Sequence, residues 1–225
     1  MINPWLPERH RILEIIEETD MESTFVVEFN EPSIRHGQFF QISLPKIGEA
    51  PISVSNFTDS TIEFTIRKVG TLTNVLFDLH AGDDLYIRGP YGNGFPLEDF
   101  KGKHIIVIAG GTGVSPVRST LNHYLNNPQD CKDVYAIAGF RDAQHVLFEN
   151  DLTKWRNAPH FHTTLTLDQG ERVGFQEGFA MKYVKDIPFQ DFQNDYAVII
   201  VGPPVMMKFT AQECMKYGVT EDHIY

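Results

Sequence analysis

The stretch "IIVIAGGTGVSPVRSTL", residues Ile105 to Leu121, places an apolar run before a glycine-rich turn and a sequence that can form a helix. A short apolar run bounded by glycines is typical of a buried strand. Gly110, Gly111 and Gly113 allow the backbone to turn sharply and to approach a ligand closely. The stretch therefore predicts a strand, a tight turn and the start of a helix.

The turn has the features of a phosphate-binding site. Ser115 can cap the helix and Pro116 suits its first turn, and the N–H groups at a helix N-terminus attract phosphate. The usual dinucleotide fingerprint has a glycine where this chain has Pro116. On the motif alone, a phosphate-binding turn and a tight structural turn both remain open.

Similar strand and helix patterns continue from Lys101 to the C-terminus. Apolar segments that read as strands are "HIIVIAGG", "VYAIAGF" and "YAVIIVGPP", and they alternate with the helical patterns "SPVRSTLNHYL", "HVLFENDLTKW" and "VMMKFTAQECMKYG". Apolar strands joined by helices predict a parallel sheet covered on both faces. We therefore expect an α/β domain over residues 101–225.

The first hundred residues have a different pattern. Short β-rich runs alternate with turn signals, namely "RILEIIEE", "TFVVEFN", "QFFQISLP", "PISVSNF", "TIEFTIRKV" and "DLYIRGP". They predict an antiparallel barrel or sandwich over residues 1–100. In "GTLTNVLFDLHAGD", the helical spacing of Leu72, Val75, Leu76 and Leu79 predicts a short helix, capped by Thr71 or Thr73.

Composition limits the class of function. The net charge of −11 argues against a general nucleic-acid or anionic-membrane partner, because such binding needs a clustered basic surface. Cys131 and Cys214 lie far apart in the sequence, which suits a reducing compartment. The start of the chain has no signal-peptide pattern, and no apolar run reaches the ~18 residues of a membrane span. We expect a cytoplasmic protein.

Six motifs occur in the order of a known family. They are "APISVS", "VGTLT", "GPYGNGF", "GGTGVSP", "GFRDAQHVLFENDL" and "VGPPVMM", and together they resemble the ferredoxin–NADP reductase superfamily over nearly the whole chain. "PISVS" and "VGPPVMM" are most similar to the electron-transfer subunits of anaerobic sulfite reductase. Dihydroorotate dehydrogenase electron-transfer subunits and hydrogenase gamma subunits are also similar. The resemblance implies an FAD-binding barrel followed by an NAD-binding domain, with hydride passing from nicotinamide to flavin N5.

The resemblance assigns "APIS" to the flavin ring. It implies that the segment Ala50, Pro51, Ile52 and Ser53 runs along the isoalloxazine, with the Ser53 hydroxyl or a nearby N–H reaching N5 as the catalytic contact. A plain strand serine is the alternative. The superfamily usually has arginine at the position of Ala50 and an aromatic residue at that of Ile52, so a charge contact and a ring stack are missing.

A second set of barrel residues is assigned to the flavin pyrophosphate. The resemblance implies that Gly70, Thr71 and Thr73 form its cradle, although an ordinary helix cap would use the same residues. Arg67 leads directly into this segment. It could replace part of the missing positive charge, or it could be a solvent-facing strand arginine.

In the second domain the resemblance implies a nicotinamide-nucleotide site. Gly111, Thr112 and Gly113 are expected near its phosphates. Gly202 and Pro203 are expected to shape the nicotinamide pocket, where many relatives have a cysteine in place of Val201.

Arg141 and Asp142 follow a predicted parallel strand, at the sheet edge where α/β folds bind ligands. Arg141 could contact a 2′-phosphate, whereas Asp142 would repel one and could accept a ribose hydroxyl. NADH is therefore the expected donor, with NADPH possible.

The leading functional expectation is an electron-transfer subunit. It would take hydride from NADH onto FAD and feed iron–sulfur and siroheme-type partner subunits in a hetero-oligomer, as the resemblance implies. A stand-alone flavin or ferredoxin reductase is a second interpretation. A scaffold subunit that has lost its cofactor is a third, because Ala50 and Ile52 depart from the family pattern.

The C-terminal sequence "YGVTEDHIY" ends on an apolar pair that reads as the start of a strand. Similar subunits continue there into a cysteine cluster that binds a [2Fe–2S] centre. Two cysteines cannot supply the thiolates of such a cluster. We therefore expect no metal site within these residues and a native chain that continues past Tyr225 into a cysteine-rich tail.

Overall fold

The computed structural model describes residues 6–30 and 34–225. The chain divides into two compact units, Met1–Phe95 and Pro96–Tyr225. Each unit has its own hydrophobic core.

The first unit is a closed antiparallel barrel of six strands. The strands are β1 (Glu8–Glu17), β2 (Glu22–Glu28), β3 (Phe39–Leu44), β4 (Gly48–Phe57), β5 (Thr61–Arg67) and β6 (Asp84–Tyr91), and the helix α1 (Thr71–Leu76) lies between β5 and β6. Around the barrel the strands follow the order β1-β2-β5-β4-β3-β6. The barrel, one of the two architectures expected from the sequence, is confirmed.

Alternation of side chains builds the barrel core. In β3, Phe40 and Ile42 are buried, whereas Gln41 and Ser43 between them are half-buried. Successive side chains of a strand point to opposite faces, so each apolar set is directed to one side of the sheet. The inner side of the barrel is filled in this way.

The second unit is an α/β domain with a parallel sheet. Its strands are β7 (His104–Gly110), β8 (Val134–Phe140), β9 (Phe161–Leu167), β10 (Gln176–Glu177) and β11 (Tyr196–Val201), and its helices are α2 (Leu97–Phe100), α3 (Val114–Asn126), α4 (Glu149–Asn157) and α5 (Pro204–Lys216). The strand order is β10-β9-β8-β7-β11. The expected parallel sheet is confirmed, and most of β7, β8 and β11 is buried.

Several expected helix ends differ from the structure. Gly70 is the N-cap of α1, and Thr73 lies three residues inside it. Ser115 is likewise inside α3, because a 3₁₀ turn over Gly111–Gly113 precedes that helix. The first part of "HVLFENDLTKW" is not α-helical, since Phe148 has φ +57° and α4 begins at Glu149.

The final apolar pair, Ile224 and Tyr225, lies beside β11. Ile224 bridges Val198 in parallel, and the Tyr225 N–H donates to the Val198 carbonyl at 2.8 Å. This contact is an isolated bridge, and the expected strand is not formed within the described residues. Among the described residues, no helix has the length and apolar character to cross a membrane.

Candidate functional site

The turn between β5 and α1 is held by a single hydroxyl. The Thr73 Oγ1 atom accepts hydrogen bonds from the N–H groups of Val69 and Gly70, both at 2.9 Å, and lies 3.1 Å from the Gly70 carbonyl, to which it donates. These contacts use the hydroxyl's donor and both of its acceptor sites. Thr73 therefore shapes the turn from within, while Thr71 is exposed.

Neither the backbone conformation nor the packing of the chain requires a glycine at position 70. Its φ of −167° is extended backbone that any residue can adopt. A Cβ atom added at Gly70 would have no heavy atom within 4 Å. Neither backbone strain nor internal packing accounts for glycine here, and the open space leaves room for a ligand to approach the main chain.

Arg67 is paired within the barrel. Its Nε atom lies 3.3 Å from the Glu22 carboxylate, which is nearly buried, and the Arg67 side chain is 44% exposed. Thr19 donates a hydrogen bond to the other oxygen of Glu22. Part of the arginine charge is thus offset locally, and the exposed part of the side chain remains available beside the turn.

The segment from Ala50 to Ser53 lies in β4. Ala50 and Ile52 pack against the barrel core, and their register partners in β3 are the buried Ile42 and Phe40. An arginine or an aromatic side chain at either position could not pack against the barrel core in the way that Ala50 and Ile52 do. This segment therefore offers a ligand its backbone and the alternate positions of the strand.

Ser53 belongs to a row of half-buried side chains that sequence reasoning missed. Phe39 pairs with Ser53 on one side and with Tyr91 on the other. The Phe39 and Tyr91 rings are 5.7 Å apart. Arg88 donates to the Tyr91 hydroxyl at 2.9 Å and to the Glu49 carboxylate at 2.8 Å. Only the strand register could have identified this row.

In the second unit, a cavity of about 530 Å³ opens at the carboxyl edge of the sheet. Its lining residues come from the ends of β7, β8, β9 and β11 and from the segments that follow them: Gly110, Gly111, Gly139, Phe140, Arg141, Asp168, Phe179, Ala180, Met181, Pro203, Val205, Met206 and Phe209. Open α/β sheets bind ligands at this edge. The structure thus brings together Gly111, Arg141 and Pro203 from the sequence-predicted set.

The glycines near this cavity have different structural roles. Gly111 has φ +57°, and an added Cβ would have nothing within 4 Å. At Gly113, in contrast, a Cβ would lie 2.5 Å from the Val201 carbonyl oxygen and 2.8 Å from the Cα of Gly202. Gly113 allows the turn to pack against the end of β11, whereas Gly111 presents open backbone. Thr112, between them, is half-buried.

The Asp142 carboxylate is engaged on both oxygens. One oxygen accepts from the Gln144 N–H at 3.0 Å and lies 2.6 Å from His145 Nδ1, and the other accepts from Arg141 Nε at 3.1 Å. The hydrogen bond from His145 is the main cause that lowers the pKa of Asp142 to about 2. The ionised Asp142 carboxylate is thus engaged by neighbouring residues of its own segment. Asp142 does not line the cavity.

Asp168 is the acidic residue that lines the cavity. It directly follows β9, and its N–H donates to the Phe140 carbonyl at 2.9 Å. Burial raises the pKa of its carboxyl, and the charge of Lys182 opposes that shift. The position of Asp168, directly after the β-rich run "FHTTLTL", was a signal already present in the sequence.

The rim of the cavity is apolar. Phe179, Val205 and Phe209 are 58%, 68% and 49% exposed. Exposed apolar side chains gathered around one cavity indicate contact with a ligand or another surface. Val205 and Phe209 are one helical turn apart in α5, a spacing that was readable from the sequence.

Both cysteines are buried and free. Burial raises the pKa of Cys131 to about 11 and that of Cys214 to about 12, which keeps both thiols protonated at neutral pH. Within residues 6–30 and 34–225 there is no group of three or more histidine, cysteine or acidic side chains that could hold a metal ion.

The known proteins that this chain resembles are subunits of oxidoreductases. The oxidoreductase NAD-binding domain family matches residues 107–212. Sulfhydrogenase 2 subunit gamma of Pyrococcus furiosus is 32% identical over 100% of this chain and 84% of its own length. The chain belongs to the ferredoxin reductase-like family of electron-transfer subunits. A dihydroorotate dehydrogenase B electron transfer subunit of Streptococcus mutans is 30% identical, over 92% of this chain and 74% of its own.

Solved ferredoxin reductase-like structures share the fold. A ferredoxin–NADP⁺ reductase from Neisseria gonorrhoeae, solved with FAD and NADP, superposes with a TM-score of 0.82 at 19% identity, over 97% of both chains. The Amycolatopsis cytochrome P450 reductase GcoB gives 0.81 at 22% identity, over 97% of this chain and 69% of that one. These likenesses show the fold, and the NAD-binding domain family together with the gamma-subunit relative identifies the protein as an NAD-binding oxidoreductase subunit.

Proposed function

We propose that this ferredoxin reductase-like subunit oxidises NADH, binds FAD in the barrel domain, residues 1–100, and passes electrons to redox partner subunits. The observation that carries the proposal is the carboxyl-edge cavity of the α/β domain, residues 101–225, which combines open glycine backbone, a cation and a carboxylate. These are the groups that a nicotinamide dinucleotide needs for its phosphates and ribose hydroxyls.

The barrel residues would hold FAD mainly through the main chain. The open space at Gly70 admits a pyrophosphate, Thr71 is exposed beside it, and Thr73 keeps the turn in shape. Arg67 and the backbone of Ala50, Pro51 and Ile52 would complete the contact, with the Ser53 hydroxyl or a nearby N–H reaching N5. Bound FAD would supply a centre that accepts a hydride pair and releases electrons singly.

The α/β residues would hold NADH by its phosphates and its ribose. Gly111 and Thr112 present backbone to the phosphates, while Gly113 and Gly202 let the turn and the end of β11 meet closely. Asp168 is our candidate acceptor for ribose hydroxyls, because it lines the cavity and Asp142 does not. A carboxylate at that position would repel the additional phosphate of NADPH.

The partner subunits define two candidate functions. The motifs "PISVS" and "VGPPVMM" favour iron–sulfur and siroheme-type subunits of an anaerobic sulfite reductase. The match to a sulfhydrogenase gamma subunit over the full chain favours a hydrogenase-type assembly. A [2Fe–2S] centre would require ligands outside the described residues, because those residues offer only Cys131 and Cys214 as thiols.

Purification of the native assembly from its source under anaerobic conditions separates the candidates. We expect this chain to co-purify with iron-containing subunits and to support NADH-dependent reduction of sulfite. Evolution of hydrogen, or turnover of dihydroorotate, would instead assign it to one of the related assemblies. A subunit that purifies alone and reduces free flavin or ferredoxin would contradict the multi-subunit proposal.

A further inference from the structure

The segment after β8 forms a small hydrogen-bonded assembly at the mouth of the cavity. Arg141 lines the cavity, and its side chain is 62% exposed. Asp142, which contacts Arg141, and His145, which contacts Asp142, are 24% and 20% exposed on their side chains. An exposed cation is therefore supported by two more buried groups.

The Asp142 carboxylate is the acceptor for both His145 and Arg141. An ionised carboxylate only accepts hydrogen bonds, so His145 Nδ1 must carry the proton that it shares with Asp142 at 2.6 Å. Arg141 donates through Nε at 3.1 Å. Its Nη1 and Nη2 groups make no hydrogen bond with the described part of the chain, and these N–H groups can bind an oxyanion in a bidentate manner.

His145 is itself fixed from the other side. The two residues after it, Val146 and Leu147, are buried, and its N–H donates to the Asp142 carbonyl at 3.1 Å. The Asp142 side chain also accepts from the Gln144 N–H. This assembly restrains the Arg141 side chain before a ligand arrives and reduces the entropy lost on binding.

We propose that Asp142 and His145 are positioning residues that hold Arg141 to bind the diphosphate of a nicotinamide dinucleotide. This inference rests on the proposed function of the cavity. Arg141 follows β8, the neighbour of β7, and the glycine turn follows β7. The guanidinium and the open backbone at Gly111 thus belong to adjacent strand ends of one cavity.

The test compares ADP with adenosine, since they differ only in the diphosphate. Binding of each to the full chain is measured by ligand-observed NMR titration, with unfolding temperatures recorded for every variant. We expect Arg141→Gln to raise the Kd for ADP about fivefold and to change that for adenosine less than twofold. Arg141→Lys, which keeps the charge but loses the Nε contact, should recover little of the ADP affinity.

The positioning role is tested with a double-mutant cycle. His145→Phe and Asp142→Asn should each weaken ADP binding about threefold without affecting adenosine, and Asp142→Asn should add almost nothing to Arg141→Gln. Lys132→Gln is the control, because Lys132 pairs with Asp195 and does not line the cavity. Additive losses, or equal losses for adenosine, would overturn the inference. If the unaltered chain bound neither ADP nor adenosine, the proposed function itself would fail.

Discussion

Gly70 and Thr73 belong to the same turn between β5 and α1, but they have different roles in it. Thr73 satisfies two backbone N–H groups inside the turn, whereas Gly70 leaves the outer side of the turn open. The family resemblance assigned both residues to a flavin cradle. It could not separate them, because only the hydrogen-bond geometry shows which atoms remain available.

Gly70→Ala tests whether the open side of the turn receives FAD. The added methyl meets no protein atom, so the free energy of unfolding should stay the same or rise by up to about 1 kcal/mol. The methyl should nevertheless weaken FAD binding by filling the ligand's space. Calorimetric titration of the apoprotein with FAD measures this, and an unchanged Kd would remove Gly70 from the cradle.

Thr73→Val should weaken FAD retention about fivefold, since loss of the hydroxyl's hydrogen bonds is worth ~1 kcal/mol. Thr58→Val is a matched control, because Thr58 also accepts from two backbone N–H groups in a barrel turn. Each variant loses two hydrogen bonds from backbone N–H groups, and thermal unfolding measures the stability lost in each. Equal loss of FAD affinity in both would show that Thr73 acts only through global stability.

Asp168→Asn should reduce the preference for NADH over NADPH, since it removes a negative charge from the cavity. The measured quantity is the ratio of kcat/KM for the two donors. Asp142→Asn should weaken both donors alike and leave the ratio unchanged. A change of ratio in Asp142→Asn alone would restore the expectation that Asp142 selects the nucleotide.

At the scale of elements, a buried ion pair joins α3 to α4. Arg118 Nε donates to the Asp151 carboxylate at 2.6 Å, and Asp151 is 5% exposed. The same carboxylate receives Lys154 at 3.3 Å, and the Trp155 indole donates to Asn122 at 3.0 Å beside it. Burial opposes ionisation of Asp151, but Arg118 and Lys154 outweigh it and lower the pKa.

Asp151→Ala should lower the free energy of unfolding by about 3 kcal/mol, because it leaves the Arg118 charge largely buried and without this partner. Asp195→Ala, at the exposed pair with Lys132, should lower it by less than about 1 kcal/mol. Denaturant titration gives both values. Similar losses in the two variants would contradict a special role for the α3–α4 pair.

The Asp151 carboxylate also makes the stability of the protein depend on pH. Its pKa is lower in the folded state, so its contribution is present above the unfolded-state pKa and is lost as the pH falls through the folded-state pKa. The unaltered protein should therefore lose more stability on acidification than Asp151→Ala does. Parallel acid-unfolding curves for the two proteins would contradict this.

Elements with strong periodicity were predictable from the sequence. The barrel strands and β7, β8 and β11 alternate or run apolar over lengths that leave little ambiguity. The start of α4 was not predictable, because Phe148 is buried and adopts a left-handed conformation, which a sequence pattern does not indicate for phenylalanine. The helix caps were also predicted wrongly. Thr73 and Ser115 have side chains that suit an N-cap, but each helix begins before the residue in question.

For the molecule as a whole, motif order carried more information than any single motif. The glycine turn after β7 left two interpretations open, and six motifs in sequence pointed to one fold, which the barrel and the parallel sheet confirm. Tyr91, Arg88 and the cavity rim were missed, since their proximity depends on strand register and on packing between distant segments.

Anaerobic reduction of the FAD-loaded protein tests the central claim most directly. Purified protein is saturated with FAD, freed of excess flavin and mixed with NADH or NADPH in a stopped-flow spectrometer, and the visible flavin absorbance is followed. We predict that the flavin remains bound, that NADH bleaches it in stoichiometric amount, and that NADPH does so more slowly. A protein that retains no FAD, or whose bound flavin neither nucleotide reduces, would contradict the assignment as an NADH-dependent flavin electron-transfer subunit.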